Sequence, residues 1–211
     1  MSLRVDGRRC LVVGGGRTAL RKARALLKGG ALVRVVAADP CRGLKSLAGA
    51  GRLELKARPY RKNDAAGALL VVAAEGDPDA NSLVASDARE AGALVNVVDS
   101  PSLCDFIFPA LLERAPLQVA VSTSGECPAF AAAVRDELAG LIGPEYGIVA
   151  RMLASVRRRM RRLEVPPRKR MAVMRELAGL GLAAVVRRKG RLAGRQVAER
   201  AVSSRLGGLW R

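Results

Sequence analysis

The stretch RCLVVGGGRTALRKARALLKGG, residues 9–30, constrains this chain more than any other part of it. Residues 9–13 (RCLVV) are a short apolar run and read as a buried strand. Three glycines follow. Apolar side chains then recur at Ala19, Ala23, Leu26 and Leu27, the spacing of one helix face, and Gly29-Gly30 stops that helix. The alternation continues along the chain. Strands read at 32–37, 52–57, 68–74 and 94–98, and helices read around 42–50 and from Asn81 to Gly92. Strand and helix in turn imply an α/β fold with a parallel sheet and right-handed crossovers.

The glycine turn itself reads Gly14-Gly15-Gly16-Arg17-Thr18-Ala19, a G-x-G-x-x-A pattern. Gly14 suits a tight strand-to-helix turn. Gly16 lets the backbone approach a pyrophosphate, and Ala19 is small enough for close helix–strand packing. A helix beginning near Arg17 would aim free N–H groups and its positive dipole end at phosphates. The candidate dinucleotide site is therefore Gly14, Gly16, Arg17 and Thr18. A doubly wound fold without a cofactor could carry the same turn. The acidic residue that binds a ribose normally ends the second strand, but here that strand ends in Ala37-Ala38 and Asp39 comes slightly late. Asp39, with the Ala38 backbone, is the ribose candidate. Its carboxylate would repel a 2′-phosphate and so argues for NAD over NADP, although Arg42 close behind leaves NADP open.

Composition removes several alternatives. Half of the 211 residues are apolar but only 3% are aromatic, so Val, Leu and Ala must fill the core. No apolar run approaches the ~20 residues that span a bilayer, and no cleavable signal is visible, so the expectation is a soluble, cytoplasmic protein without a membrane partner. The four cysteines match no zinc spacing and read as reduced thiols. The chain contains no histidine. That excludes a Ser-His-Asp triad and His-ligated metal, and leaves acid–base work to Asp, Glu, Lys, Tyr or Cys.

The charge is uneven. Residues 1–150 carry 19 basic and 16 acidic groups, whereas residues 151–211 carry 18 and 3. A polyanionic partner is one explanation and an Arg-rich solvated helical surface is another. After Pro109 the pattern changes: one strand at 117–122, a TSGECP loop, and a helix from Ala129 to Leu141 ended by Gly143-Pro144. From Tyr146 the chain reads as helical, in segments to Leu163, to Leu182 and over 191–205, with Pro166-Pro167 between the first two. Residues 151–211 lack Phe and Tyr and hold only Trp210, which leaves little base stacking, so nucleic acid is not the expected partner.

Two blocks carry a family resemblance. GGGRTALRKARALLKGGALVRVVA and VNVVDSPSLCDFIFPALLERAPLQVAVSTSGECPAFAAAVRDEL resemble the precorrin-2 dehydrogenase and sirohydrochlorin ferrochelatase family, which also forms the amino-terminal module of sirohaem synthases. The second block is the more specific, because few Rossmann proteins set NVVD before C-x-F-x-x-P-A and an STSG loop. The resemblance covers residues 3–145. It implies a Rossmann-type NAD-binding domain over 1–112 and a dimerisation and substrate-cleft segment over 113–145; the basic helical domain over 146–211 is read from charge and periodicity and matches the family only in being helical. It implies NAD-dependent oxidation of precorrin-2 to sirohydrochlorin, in some members with insertion of Fe2+, by a homodimer acting on a tetrapyrrole octacarboxylate. By this resemblance Asp99 is the catalytic residue, at the carboxyl edge of the sheet. Ser122, Thr123, Ser124 and Gly125 are candidates for holding substrate carboxylates or nicotinamide-side atoms, and equally an N-cap and turn with no ligand. No metal-binding residues are expected. The competing reading is a regulatory module that binds NAD on the same core and does no chemistry.

Overall fold

The computed structural model describes residues 3–210. The chain forms two compact units, one ending at Phe108 and one beginning at Pro109.

The first unit contains β1 (Arg9–Val13), α1 (Arg17–Lys28), β2 (Leu32–Val36), α2 (Arg42–Gly49), β3 (Glu54–Lys56), β4 (Leu70–Ala73), α3 (Pro78–Glu90) and β5 (Leu94–Val97). The strands lie in the order β3-β2-β1-β4-β5 and every pairing is parallel. The short apolar runs become strands because both faces of this sheet are covered. Cys10, Val12, Val33, Val35, Leu70 and Val72 pack on the side of α1 and α2. Leu11, Val13, Val71, Ala73, Val95 and Val97 pack on the side of α3. The strand expected over 52–57 shortens to three residues at the sheet edge, where Glu54 bonds Arg34 at 2.7 Å and Lys56 at 3.0 Å.

The second unit opens with an antiparallel hairpin, β6 (Ala110–Arg114) and β7 (Leu117–Val121). Sequence reading anticipates only β7. The residues ALLER of β6 are helix formers, and pairing with β7 and packing under α4 (Pro128–Leu141) override that preference. The division expected after residue 112 falls inside β6. Three more helices follow: α5 (Pro144–Arg162), α6 (Pro167–Gly179) and α7 (Leu182–Leu206). Each of α4, α5 and α6 has proline in its first turn, where the missing N–H costs nothing. The break expected before residue 191 is a kink within α7, at Gly190 (φ 82°, ψ 171°). Val156, Met160, Leu177, Ala198, Val202 and Trp210 form the core of this bundle.

Candidate functional site

Because every strand of the first unit is parallel, the carboxyl ends of β1, β2, β4 and β5 share one edge. The glycine turn follows β1, whose neighbours β2 and β4 stand on either side of the point where strand order reverses. Open parallel sheets have their ligand crevice there. Gly14 has φ 129°, and a Cβ on it would stand 2.3 Å from the Ala74 carbonyl oxygen. A Cβ on Gly15 would stand 2.1 Å from the Asp39 carbonyl oxygen. The loops after β4 and β2 press on the turn at these two positions and demand glycine.

Gly16 is different: a Cβ there meets nothing within 4 Å. It is the N-cap of α1 with extended backbone, no side chain caps that helix, and no acidic residue occupies its first turn. The first intrahelical bond runs from the Leu20 N–H to the Gly16 carbonyl, so the N–H groups of Arg17, Thr18 and Ala19 have no helical partner. Open space, unpartnered donors and the positive helix end fit a pyrophosphate. Ala19 is fully buried against the sheet, as its small size requires. Ala38 and Asp39 are exposed in the turn after β2. That turn is tied to the glycines by the Cys41 N–H, which donates to the Gly15 carbonyl at 2.9 Å. On the other flank Asn81, only 6% exposed, holds the loop after β4 by accepting from the Glu75 N–H and donating to the Glu75 carbonyl, both at 3.0 Å.

Asp99 lies on the same edge, just past β5. The Val98 N–H still pairs with the Ala73 carbonyl at 2.9 Å, and then Asp99 turns into the left-handed region at φ 59°. Among the described residues Asp99, Ser124 and Glu164 are the non-glycines with positive φ. Such a conformation costs an L-residue about 1 kcal/mol, least for Asp and Asn. Cys104 grips this bend from beneath. Its thiol accepts from the Val97 N–H at 3.2 Å and lies 3.2 Å from the Val97 carbonyl and 3.4 Å from the Ser100 carbonyl. Asp105 holds the returning segment along β5, with one carboxylate oxygen 2.9 Å from the Val95 N–H and the other near Arg89.

Two side chains beside this bend had no site role in the sequence reading: Lys22, and Asn96, whose spacing of three residues from Asp99 set it on the opposite sheet face. Asn96 is 5% exposed; its Nδ2 donates to the Phe106 carbonyl at 3.0 Å, and its Oδ1 has no hydrogen-bond partner. Lys22 of α1 sits with Nζ 3.9 Å from the centre of the Phe108 ring, which packs on Phe106. Burial pulls the Lys22 ammonium down to about 8, with Arg21 adding to the effect and Cys104 and Asp99 opposing it. Both residues had a signal. Lys22 falls three residues after Ala19 and four before Leu26, on the buried stripe of α1, and Asn96 interrupts an apolar strand.

The STSG loop belongs to the second unit, between β7 and α4. Ser124 has φ 56° and Gly125 φ 89°. Ser122 Oγ accepts from the Ser124 N–H at 3.1 Å, and Thr123 Oγ1 accepts from the Cys127 N–H at 3.0 Å. The loop's own hydroxyls thus close its turn and serve the start of α4, while each keeps a proton to donate. Among the described residues no three His, Cys, Asp or Glu side chains gather as metal ligands, and no helix is long and apolar enough to cross a membrane. A cavity of about 360 Å³ opens at the opposite, amino edge of the sheet near Arg9, Leu32 and Leu53, away from every motif residue.

Comparison with known proteins agrees with this geometry. The family described as "Putative NAD(P)-binding" matches residues 1–110, and the central family of sirohaem biosynthesis proteins matches residues 114–141. The siroheme synthase of Methylococcus capsulatus is 43% identical over 161 residues, 76% of this chain and 34% of the relative. That of Azotobacter vinelandii is 42% identical over 173 residues, 82% of this chain and 37% of the relative. The chain therefore spans about a third of the length of the siroheme synthases it matches. Among solved structures, SirC, a precorrin-2 dehydrogenase, superposes with a TM-score of 0.79 at 25% identity, covering 95% of this chain and 98% of that one. The chain belongs to the NAD(P)-binding family that forms the amino-terminal module of sirohaem synthases.

Proposed function

We propose that this protein oxidises precorrin-2 to sirohydrochlorin with NAD, as a step in sirohaem synthesis. The observation that carries the reading is Asp99, bent into a left-handed conformation at the carboxyl end of β5, on the same sheet edge as the glycine turn. The end-to-end likeness to a precorrin-2 dehydrogenase supports it. Gly14, Gly16, Arg17 and Thr18 take the pyrophosphate, largely through backbone N–H groups. Ala38 and Asp39 take the adenosine ribose, and the Asp39 carboxylate favours NAD over NADP. When bound, NAD supplies the hydride acceptor.

The reaction removes two hydrogens from the macrocycle, one as hydride to the nicotinamide and one as a proton. Asp99 accepts that proton on a carboxylate oxygen. Lys22, the one lysine drawn down to about 8, keeps a positive charge near that carboxylate in a chain without histidine. Asn96 Oδ1 offers an acceptor to a ligand N–H. Ser122, Thr123, Ser124 and Gly125 hold substrate carboxylates through hydroxyl protons and backbone N–H groups. The protein works as a homodimer, and exposed Leu111, Phe130 and Leu141 on the hairpin and α4 suit a subunit contact. Four free thiols suit the reducing cytoplasm. Fe2+ enters as a second substrate, steered to the macrocycle by the same Asp99 carboxylate.

Anaerobic incubation with NAD and precorrin-2 tests this directly. Wild type is expected to generate NADH absorbance. Asp99→Ala is expected to lose a factor on the order of 10²–10⁴ in kcat while binding NAD as before. NAD binding without NADH in wild type would leave a regulatory module instead. In a separate arm with sirohydrochlorin and ferrous ion, a wild-type rate equal to the uncatalysed one removes the iron step alone.

A further inference from the structure

The bundle of the second unit holds a cavity lined by none of the residues assigned above to the oxidation. It measures about 640 Å³ and lies between α5 and α7, next to Trp210. That is the size of a small-molecule site. Its floor is apolar, with Met152, Val156 and Ala198 contributing. Its walls are not. Arg151, Arg158 and Arg159 line it from α5, and Arg191 and Arg195 line it from α7, against the single carboxylate of Glu199. Like charges gathered around a concave surface repel one another and focus a positive potential into it.

The neighbouring carboxylates do not relieve this. Residues 151–211 contain only Glu164, Glu176 and Glu199. Glu176 is taken by Arg205 at 2.7 Å, outside the cavity, and Glu199 by Arg195 at 2.8 Å. Arg158 and Arg191 pair with no carboxylate of the described residues. Arg159 is already fixed. Its guanidinium lies 4.2 Å from the centre of the Trp210 ring, and its Nη2 donates to the Trp210 carbonyl at 2.7 Å. A guanidinium held in place loses little freedom when it meets an anion.

We propose that this cavity is a binding site for an organic polycarboxylate, a ligand whose several carboxylates are spread around an apolar body. The spread of the arginines sets the class. Arg151 and Arg158 lie seven positions apart along a helix, about 10 Å, and Arg191 and Arg195 four positions apart, about 6 Å. A compact phosphate meets only one end of such an array, whereas carboxylates around a rigid body meet both walls and its centre covers the apolar floor. The site is independent of Asp99 and of the dinucleotide.

Trp210 is the chain's only tryptophan, so its fluorescence reports on this cavity. Titrating the whole protein with mellitate, a planar benzene hexacarboxylate, requires neither NAD nor turnover. The expected result is a saturable change that weakens steeply with added salt. Pyrophosphate is expected to bind at least ten-fold more weakly than mellitate, and Arg158→Gln/Arg191→Gln to lose at least ten-fold in mellitate affinity with unchanged thermal unfolding. No saturable change, equal affinity in the double variant, or tighter binding of pyrophosphate would overturn the proposal. So would displacement of mellitate by a short DNA duplex of higher affinity, which would make the surface a nucleic-acid site. Unchanged NADH formation by the double variant is expected, and its loss would overturn the independence of the two sites.

Discussion

The protein has two loops that lead from a strand into a helix and that sequence reading offers as anion sites, and the structure builds them in opposite ways. The glycine turn after β1 is bare. No side chain caps α1, and a Cβ on Gly16 would meet open space. The STSG loop after β7 is furnished, with Ser122 and Thr123 spending their oxygens on the N–H groups of Ser124 and Cys127. A loop N–H binds an anion only while it is unclaimed, and the second loop has spent two of its own, although no side chain caps α4 itself. Conformational cost is distributed accordingly. The first loop uses glycine where φ is positive, whereas the second uses Ser124 at φ 56° beside Gly125.

The contrast breaks most sharply within the glycines themselves. Gly15→Ala drives a Cβ to 2.1 Å from the Asp39 carbonyl oxygen, a backbone atom with no room to yield. It is expected to destabilise the first unit by about 3 kcal/mol, as strain and displaced backbone do together, and calorimetric unfolding measures it. Gly16→Ala adds the same methyl group to open space, so the melting temperature is expected to hold while NAD affinity, by calorimetric titration, drops at least ten-fold. Equal affinity in Gly16→Ala and wild type would mean that the bare cradle is not where the pyrophosphate lies.

Lys22 sharpens the comparison from the middle of α1. Its folded pKa is lowered to about 8 against about 10.4 for a free lysine. Below pH 8 the group is charged in both states and the cost of burying that charge is fully felt. As pH rises from about 8 to about 10 the folded state sheds the proton first, so stability rises. Lys22→Met is expected to gain about 1 kcal/mol at pH 7, after discounting for partial solvent access, and the gain should shrink by pH 10. The same variant should lose a transition near pH 8 in the wild-type rate profile, where activity declines as the ammonium deprotonates. A stability difference that is constant from pH 7 to pH 10 would deny the burial.

How far such a site can be read from sequence depends on how local its causes are. The glycine turn was legible because a strand, a turn and a helix within one stretch of chain determine it. Asp99 was legible through its position after an apolar strand and through the NVVD block. Cys104 reads from LCDF as packed beneath the site rather than catalytic, but the bonds it makes there and the unpartnered Oδ1 of Asn96 were not legible, because both depend on the segment 99–108 folding back along β5. β6 was hidden for the same reason: its residues favour helix, and only the pairing of Leu112 with Val119 and its neighbours makes it a strand. In the bundle, periodicity indicated the helices, but the crowding of five arginines around one cavity is a property of how α5 and α7 pack.

The smallest effect is expected at Thr123, where the two readings of the furnished loop part. The Thr123 oxygen accepts from the Cys127 N–H, and its hydroxyl proton is left to donate. Thr123→Val keeps the shape and removes both functions. Losing the hydrogen bond to the Cys127 N–H should cost about 1 kcal/mol of stability. Losing the donor should raise KM for the tetrapyrrole about three-fold, since a solvent-exposed hydrogen bond to a carboxylate contributes less than about 1.5 kcal/mol. An unchanged kcat would separate this holding role from the proton transfer assigned to Asp99. Thr123→Ser should restore both quantities. If stability falls and KM does not move, the loop is a structural turn alone, and substrate carboxylates are held by other groups.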